Sequence, residues 1–508
     1  MQRKQLTLVI VSLLVVVLSV SLAYFTAQII GKGKDVSVTS ANLQIVFTDS
    51  DGALTETDIE PGWSATKTFT IKNDTKTEYK YNIVIKDLLN TFVTNGYLQY
   101  KITTTNGGYN MTEFKDIPKS SAPKDTILAY SVSIPVGVTQ SYTIEFKYAN
   151  DESVDQSDDM GKKLSGTLFI TEGTEQPTLL SQILNDNPTR STRSNNNNGT
   201  NDFATTLTTT TTGTLFTSTE SITGITDTPK EVYYYAGNTT NNWVKFANIY
   251  WRIIRTNHDS SIRLLYVGTS HDTTTGNIGT SLFNQNYDSP KYVGYKYGED
   301  TSLDTIRNNT TDSTIKTTID TWYQNNLTNY TKYLSTSAVY CNDRSEGTGQ
   351  TYSASADFNF APYYRMDYDT DGAKANPSYN CTNIKDAFSV DNTSAKLDYP
   401  VSLMTADEIA FAGGVAFQNM STPYAWFISN SAGTQVSTDW WSLSPIRWDG
   451  SGASVWIWDS GYAYLYRNGV GYTGAVRPAI SLKSCIKYST GNGTYETPYE
   501  IVETSSGC

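Results

Sequence analysis

The stretch Tyr142-Thr143-Ile144-Glu145-Phe146-Lys147-Tyr148 alternates an aromatic or branched apolar side chain with a polar one along its whole length. Such alternation places one set of side chains on each face of a strand, so that one face is buried and the other meets water. Similar short runs occur at 43–47, 69–71, 79–85 and 168–170. Turn-forming residues such as Pro61-Gly62 separate these runs. Residues 35–173 are therefore predicted to form an antiparallel β-sandwich.

The N-terminus predicts export. Arg3 and Lys4 precede an uncharged apolar run, residues 6–25, which is about long enough to cross a bilayer. A cleaved signal peptide is the alternative, since Ser21-Leu22-Ala23 is an acceptable cleavage site. The length of the apolar run favours an uncleaved anchor. We expect residues 1–30 to be a transmembrane or signal helix, and the rest of the chain to lie at the cell surface, anchored or secreted.

The composition bears on the class of partner. The 508 residues carry a net charge of −12, which disfavours nucleic acid because a nucleic-acid-binding face is basic. The chain has only two histidines, His258 and His271, so acid–base catalysis and transition-metal binding are both disfavoured. Its 36 tyrosines suit a binding surface, since tyrosine offers a large rigid contact area with a polar tip.

Residues 174–230 differ from their surroundings. An asparagine run at 195–198 is followed by a threonine-rich tract at 205–212, with few apolar residues between them. So little apolar surface does not offset the conformational entropy of an ordered chain. This segment is predicted to be a flexible linker.

The remaining residues, 231–508, predict an α+β domain. Apolar residues at 244–253 and 262–266 flank a turn and indicate a β-hairpin. Ile315, Ile319, Trp322, Tyr323 and Leu327 recur at helical spacing after a cap at Asp312 or Ser313. A second helix begins at Thr405, where Glu408 completes a capping box, and Gly413-Gly414 ends it.

The four cysteines all lie in this C-terminal half. An even number of cysteines outside the cell predicts two disulfides among Cys341, Cys381, Cys485 and Cys508. Pairing of near neighbours would close one loop from Cys341 to Cys381 and another from Cys485 to Cys508, but three connectivities satisfy the count.

One motif has the spacing of a calcium loop. Asp367, Asp369 and Asp371 are followed by Gly372, so alternate carboxylates can converge on one hard cation. The twelfth loop position is Ser378, where an EF-hand has glutamate, and no flanking helices are evident. A solvated acidic turn is the alternative and the more common explanation.

Part of the predicted sandwich resembles the domains of bacterial surface fibres of the camelysin and TasA type. The likeness rests on residues 43–47, on Ile59-Glu60-Pro61-Gly62 and on residues 68–73, with residues 23–27 after the apolar run. It implies a stalk or assembly module without chemistry.

The C-terminal domain is similar to the C-type-lectin-like fold, in the branch of formylglycine-generating-enzyme-like domains found in surface proteins of gut Firmicutes-type bacteria. The motifs that carry the likeness lie at 251–255, 340–344, 405–408, 440–445, 453–456, 460–461, 474–482 and 491–499. The resemblance spans about residues 230–505 and implies a C-type-lectin-like domain. The cysteine pair of the formylglycine-generating enzymes and the histidine cluster of their iron-dependent relatives are missing here, so neither activity is carried over.

Variable proteins of diversity-generating retroelements share this fold, and in them the C-terminal block is the ligand-binding site. The resemblance therefore implies a binding set here: Arg447, Trp448, Asp449, Trp458, Tyr462, Tyr464, Tyr466, Arg467, Asn468 and Tyr472. Tyr462, Tyr464 and Tyr466 share one face, and we expect it to point outward because Ala463 and Leu465 can take the core face. Trp440, Trp441 and Trp456 are predicted core residues.

These observations predict a non-enzymatic cell-surface protein that binds an extracellular protein or glycan. Lipase-type, zinc-protease-type and phosphate-loop motifs are all absent from the sequence. Two alternatives stay open: a structural subunit of a surface fibre or matrix, and an extracellular glycan-active enzyme. A glycan-active enzyme would need two carboxylates that face each other across a cleft, and a sequence does not reveal such an arrangement.

Overall fold

The computed structural model describes residues 25–30, 36–40, 43–49, 54–195, 201–366, 375–420, 425–435 and 438–508. The chain divides into two compact units, Met1–Gln176 and Pro177–Cys508. Both units consist mostly of β-strands, and each has a hydrophobic core of its own.

The first unit contains two β-sheets. Its strands are β1 (Phe25–Ile30), β2 (Val36–Ser40), β3 (Leu43–Asp49), β4 (Leu54–Ile59), β5 (Ser64–Asn73), β6 (Tyr79–Asn90), β7 (Leu98–Thr105), β8 (Lys115–Asp116), β9 (Ser120–Ile134), β10 (Thr139–Tyr148) and β11 (Lys163–Glu172), with a 3-10 turn at Ser157–Asp159. One sheet has the order β4-β1-β11-β6-β9, and the other has the order β2-β3-β5-β10-β7-β8. β1 runs parallel to β11, and the other described pairs are antiparallel.

The two sheets share one core. Tyr142 and Ile144 of β10 are buried in the same cluster as Ile83 and Ile85 of β6, which belongs to the other sheet. The ring of Phe69 on β5 stacks on that of Tyr142 with centroids 4.9 Å apart. The two-sheet β architecture predicted for this part of the chain is therefore confirmed.

The predicted N-terminal helix falls mainly outside the described residues, since these begin at Phe25. Residues Phe25–Ile30, the last six of that prediction, form strand β1 between β4 and β11. Among the described residues, no helix is long and apolar enough to cross a membrane.

The second unit has five described α-helices among its strands: α1 (Leu179–Asp186), α2 (Leu303–Ile306), α3 (Thr314–Asn326), α4 (Ala361–Arg365) and α5 (Ala406–Phe411). Single 3-10 segments occur at Pro290–Val293, Thr328–Tyr333 and Ile384–Asp386. The strands are β12 (Thr189–Thr192), β13 (Thr214–Ile222), β14 (Thr226–Tyr234), β15 (Trp243–Phe246), β16 (Ile249–Thr256), β17 (Ile262–Gly268), β18 (Thr280–Leu282), β19 (Lys296–Tyr297), β20 (Thr311–Asp312), β21 (Tyr340–Cys341), β22 (Phe358–Asn359), β23 (Ala387–Phe388), β24 (Val401–Leu403), β25 (Trp440–Trp448), β26 (Ala453–Asp459), β27 (Tyr464–Gly469), β28 (Thr473–Ala475), β29 (Pro478–Leu482), β30 (Tyr488–Thr490) and β31 (Tyr499–Ile501).

Two large sheets organise this unit. The path β12-β13-β14-β16-β15-β31-β30 forms a ten-stranded sheet together with β17, β24 and β29. The path β18-β28-β25-β26-β27, with β22 beside β25, forms a six-stranded sheet in which β27 is an edge strand. Two further pairs, β19 with β20 and β21 with β23, complete the described strands.

The linker prediction for residues 174–230 is wrong for most of that range. Helix α1 and strands β12, β13 and most of β14 lie within it and belong to the second unit. The few apolar side chains are nearly all used, since Leu179, Ile183 and Leu215 are buried in the main core. Threonine also suits strands because its side chain is β-branched. Four of the threonines between 174 and 230 lie at the ends of β12, at the start of β13 and at the start of β14, whereas the tract at 205–212 forms no strand.

The hairpin and the two helices predicted from local sequence patterns agree with the structure better than the linker does. The hairpin of β16 and β17 and the helix α3, capped by the Ser313 side chain, are confirmed. Helix α5 has the predicted capping box. The Thr405 side chain accepts a hydrogen bond from the backbone N–H of Glu408, and the Glu408 carboxylate accepts one from the backbone N–H of Thr405. Gly413, with φ of 119°, follows the helix in the left-handed region that glycine tolerates.

Candidate functional site

The predicted binding residues lie on β25, β26 and β27 and on the loops beside them. β26 pairs with β25 on one side and with the edge strand β27 on the other. The structure thus brings the ten residues to one sheet and its adjoining loops, but it exposes only some of them.

Trp448 and Trp458 are corrections to the predicted set. They are 3% and 0% exposed, so they lie in the core and offer no surface to a ligand. Phe358 of β22 pairs across from Trp448, and the ring of Phe427 meets that of Trp458 edge-on at 4.8 Å. The resemblance does not carry over at these two positions, because both faces of the central strand β26 are covered: Trp456, Ile457 and Trp458 are all buried.

Tyr462, which precedes β27, and the half-buried Tyr464 and Tyr466 on β27 form an ordered row of aromatic rings. The rings of Tyr462 and Tyr464 are stacked with centroids 5.4 Å apart, and Tyr466 follows at 5.7 Å from Tyr464. Phe417 closes the group, with its centroid 5.8 Å from Tyr464 and 5.3 Å from Tyr466. We call these four residues the tyrosine ladder. Tyr462 is 60% exposed, while Ala463 is buried beneath the strand as predicted.

A strained loop holds the ladder in place. The backbone N–H of Phe417 donates to the carbonyl of Leu465 at 3.2 Å, and that of Met420 donates to the carbonyl of Ala463 at 3.0 Å. Phe417 and Ala463 have φ values of 59° and 55°, which cost energy for residues other than glycine. Sequence reasoning missed Phe417, because nothing in the pattern around it places it against β27.

The other predicted binding residues have local structural roles as well. Arg447 lies 3.4 Å from the carboxylate of Asp449, whose Oδ1 accepts hydrogen bonds from two backbone N–H groups of the β25–β26 turn. Arg467 and Asn468 are half-buried on β27. Tyr472 is exposed, next to Gly471, which packs against the ring of Tyr287.

The candidate calcium residues Asp367, Asp369 and Asp371 lie outside the described residues. Within the described residues, one other cluster of three carboxylates is spaced closely enough to hold a cation: Asp312, Asp320 and Asp398. The ammonium of Lys316 already lies at 3.1, 2.5 and 2.7 Å from these three carboxylates. A lysine thus supplies the positive charge there.

Motifs that carry the family resemblance meet in a buried group of charges, which we call the ion-pair cluster: Glu220, Arg255, Arg263 and Glu408. Arg255 donates to Glu408 at 2.8 Å and to Glu220 at 2.9 Å, and Arg263 donates to Glu408 at 2.5 Å. Beside it, Arg365 binds Asp343 at 2.6 Å and Asp407 at 2.8 Å. Segments 251–255, 340–344 and 405–408 are therefore joined through charged side chains.

The cavity at this cluster is too small for a substrate. Its volume is about 20 Å³, which is room for one water molecule. Each carboxylate that lines it is paired with an arginine. Burial alone would raise the pKa of Glu220, but Arg255 and a hydrogen bond from His258 outweigh burial and lower it to about 2. The arrangement suits a structural charge network rather than proton transfer.

The low pKa of Glu220 predicts acid sensitivity. A carboxyl whose pKa is lowered on folding stabilises the fold above its unfolded pKa, which is near 4.5, and this stabilisation is lost as the pH falls towards 2. We expect a loss of about 3 kcal/mol in the free energy of unfolding of the second unit over this window. Urea unfolding at several pH values, followed by tryptophan fluorescence, measures it. Glu220→Gln must flatten this dependence, and an unchanged slope would contradict the assignment.

The structure contains two disulfides, Cys341–Cys381 and Cys485–Cys508, which confirms the prediction and selects one of the three connectivities. Disulfides persist in oxidising compartments. The pair is therefore consistent with an extracellular or secreted protein.

The tyrosine ladder lies mostly within the C-terminal block of the resemblance, and the ion-pair cluster joins three of its other motifs. Both features are defined by contacts within the second unit. Comparisons of the chain with protein-family models, with curated proteins and with solved structures found no match.

Proposed function

We propose that this chain is a cell-surface protein, anchored or secreted, that binds an extracellular protein or glycan through the tyrosine ladder of a C-type-lectin-like domain. The observation that carries the proposal is the ladder itself, an ordered row of aromatic rings with Tyr462 60% exposed. Clustered exposed aromatic side chains on a rigid support are typical of binding hot spots.

The support of the ladder favours binding further. β27 pairs along its length with β26, whose Trp456 and Trp458 are fully buried. The loop that carries Phe417 is hydrogen-bonded to the other side of β27. Rings held on such a scaffold lose little conformational entropy when a ligand binds, so more of the contact energy is available for affinity.

Substitution of the central ring tests the proposal. The fluorescently labelled full chain is applied to arrays of purified host and bacterial glycans and extracellular proteins. We expect at least one retained component, and we expect Tyr464→Ala to weaken its binding about thirtyfold, as for a hot-spot residue. Tyr364→Ala, which removes an exposed ring outside the ladder, is the control. Equal binding by Tyr464→Ala and the parent chain would refute a role for the ladder.

A further inference from the structure

We infer that the ladder recognises a cationic partner, a polypeptide segment that presents arginine or lysine side chains. This inference rests on the proposed function and names the partner class of the same surface. It is argued from the carboxylates beside the ladder, from the distribution of basic residues and from the chemistry of the rings.

Two carboxylates flank the ladder. Asp459 is the cross-strand partner of Tyr464, and its Oδ1 accepts from the backbone N–H of Tyr462 at 3.0 Å. Asp439 lies beside the same turn, where its Oδ1 accepts from the backbone N–H of Ser460 at 2.9 Å. Burial is the largest cause that raises the pKa of Tyr464, and the negative charge of Asp459 is the second. The charge of Asp439 adds to this effect. The central ring of the ladder thus lies beside the negative charge of Asp459.

Few basic residues lie near the ladder in the sequence, and Arg467, which directly follows Tyr466 on β27, is half-buried. Between Lys396 and Arg467 the only basic residue is Arg447, which is paired with Asp449. This interval contains every residue of the ladder and both flanking aspartates. Within the described part of the chain, neither Asp439 nor Asp459 forms an ion pair.

Tyrosine rings next to carboxylates suit a guanidinium or an ammonium. A cation is attracted to the face of an aromatic ring, and a carboxylate beside that ring adds a charge-assisted hydrogen bond. The protein already uses the first contact internally, since Arg255 lies 4.3 Å from the ring centroid of Tyr379. The net charge of −12 would steer a basic partner towards the chain and repel an acidic one.

Charge-matched peptides test the inference on the full chain. The probes are fluorescent Gly/Ser peptides with spaced arginines, lysines or glutamates, measured by anisotropy, together with chitosan oligomers as an amine-bearing glycan. We expect the arginine and lysine peptides to bind, more weakly as salt rises, and the glutamate peptide to be left free.

Conservative variants localise the binding. Asp459→Asn keeps an acceptor for the turn and should weaken the arginine peptide about fivefold. Asp155→Asn changes a comparable turn aspartate, which accepts from Ser157, in the first unit and should have no effect. Tyr464→Leu removes the aromatic face and should weaken binding of the arginine peptide.

The outcomes separate the two proposals. Binding of the arginine peptide that responds to Asp459→Asn and Tyr464→Leu supports both. Ladder-dependent binding of the glutamate peptide, of chitosan alone or of a neutral glycan overturns the cationic polypeptide and leaves the proposed function standing. If ladder substitutions change the binding of no array component and no probe, both proposals fail.

Discussion

Replacement of Glu408 by alanine is expected to lower the free energy of unfolding of the second unit by about 3–5 kcal/mol. Glu408 is 1% exposed and accepts from both Arg255 and Arg263. Its removal leaves the buried guanidinium of Arg263 without its carboxylate and Arg255 with Glu220 alone. It also removes the reciprocal hydrogen bond of the capping box at Thr405, so the start of α5 is weakened.

Tryptophan fluorescence reports this change selectively, because nine of the ten tryptophans lie in the second unit and only Trp63 lies in the first. Asp304→Ala is the matched control, since it removes an aspartate that pairs at 2.8 Å with Lys385 on the surface. An exposed pair contributes at most about 1 kcal/mol. A loss for Glu408→Ala no greater than that of the control would show that the cluster does not stabilise the fold.

The ion-pair cluster also shows what one sequence does not reveal. Arg255 is 35 residues from Glu220 and 153 residues from Glu408, so no local pattern joins them. Glu220 lies in the segment predicted to be a linker. The capping box does explain why Glu408 follows Thr405 by three residues. Its second role, as the carboxylate between two arginines, depends on how distant strands pack.

Periodicity predicted burial well where one face of a strand meets solvent. On β10 the four apolar residues from Tyr142 to Tyr148 are buried, and the polar residues between them are partly exposed. The rule does not apply to β26, where Ile457 between two buried tryptophans is itself buried. A strand covered on both faces has no alternation to read. The shared face of Tyr462, Tyr464 and Tyr466 could therefore be predicted, whereas the burial of Trp448 and Trp458 could not.

The Cys341→Ala/Cys381→Ala double variant is expected to lower the free energy of unfolding of the second unit by about 4 kcal/mol. The bond joins residues 40 apart in sequence, so its loss gives the unfolded chain the entropy of an open loop. It also anchors two neighbouring elements. Cys341 belongs to β21, and the backbone N–H of Cys381 donates to Ser221 of β13 at 2.9 Å.

The second disulfide separates these two contributions. Cys485–Cys508 joins residues only 23 apart, and chain entropy alone would make the Cys485→Ala/Cys508→Ala variant about half a kcal/mol less destabilised than the first. Cys381 is also buried against Ile222, Val339 and Ala387, whereas Cys508 is exposed. We therefore expect the first variant to lose at least 1 kcal/mol more than the second, because it also disturbs packing. Urea unfolding without reductant measures both variants. A difference of only about half a kcal/mol would mean that loop closure alone accounts for both losses. A first variant as stable as the parent would mean that the Cys341–Cys381 bond does not form.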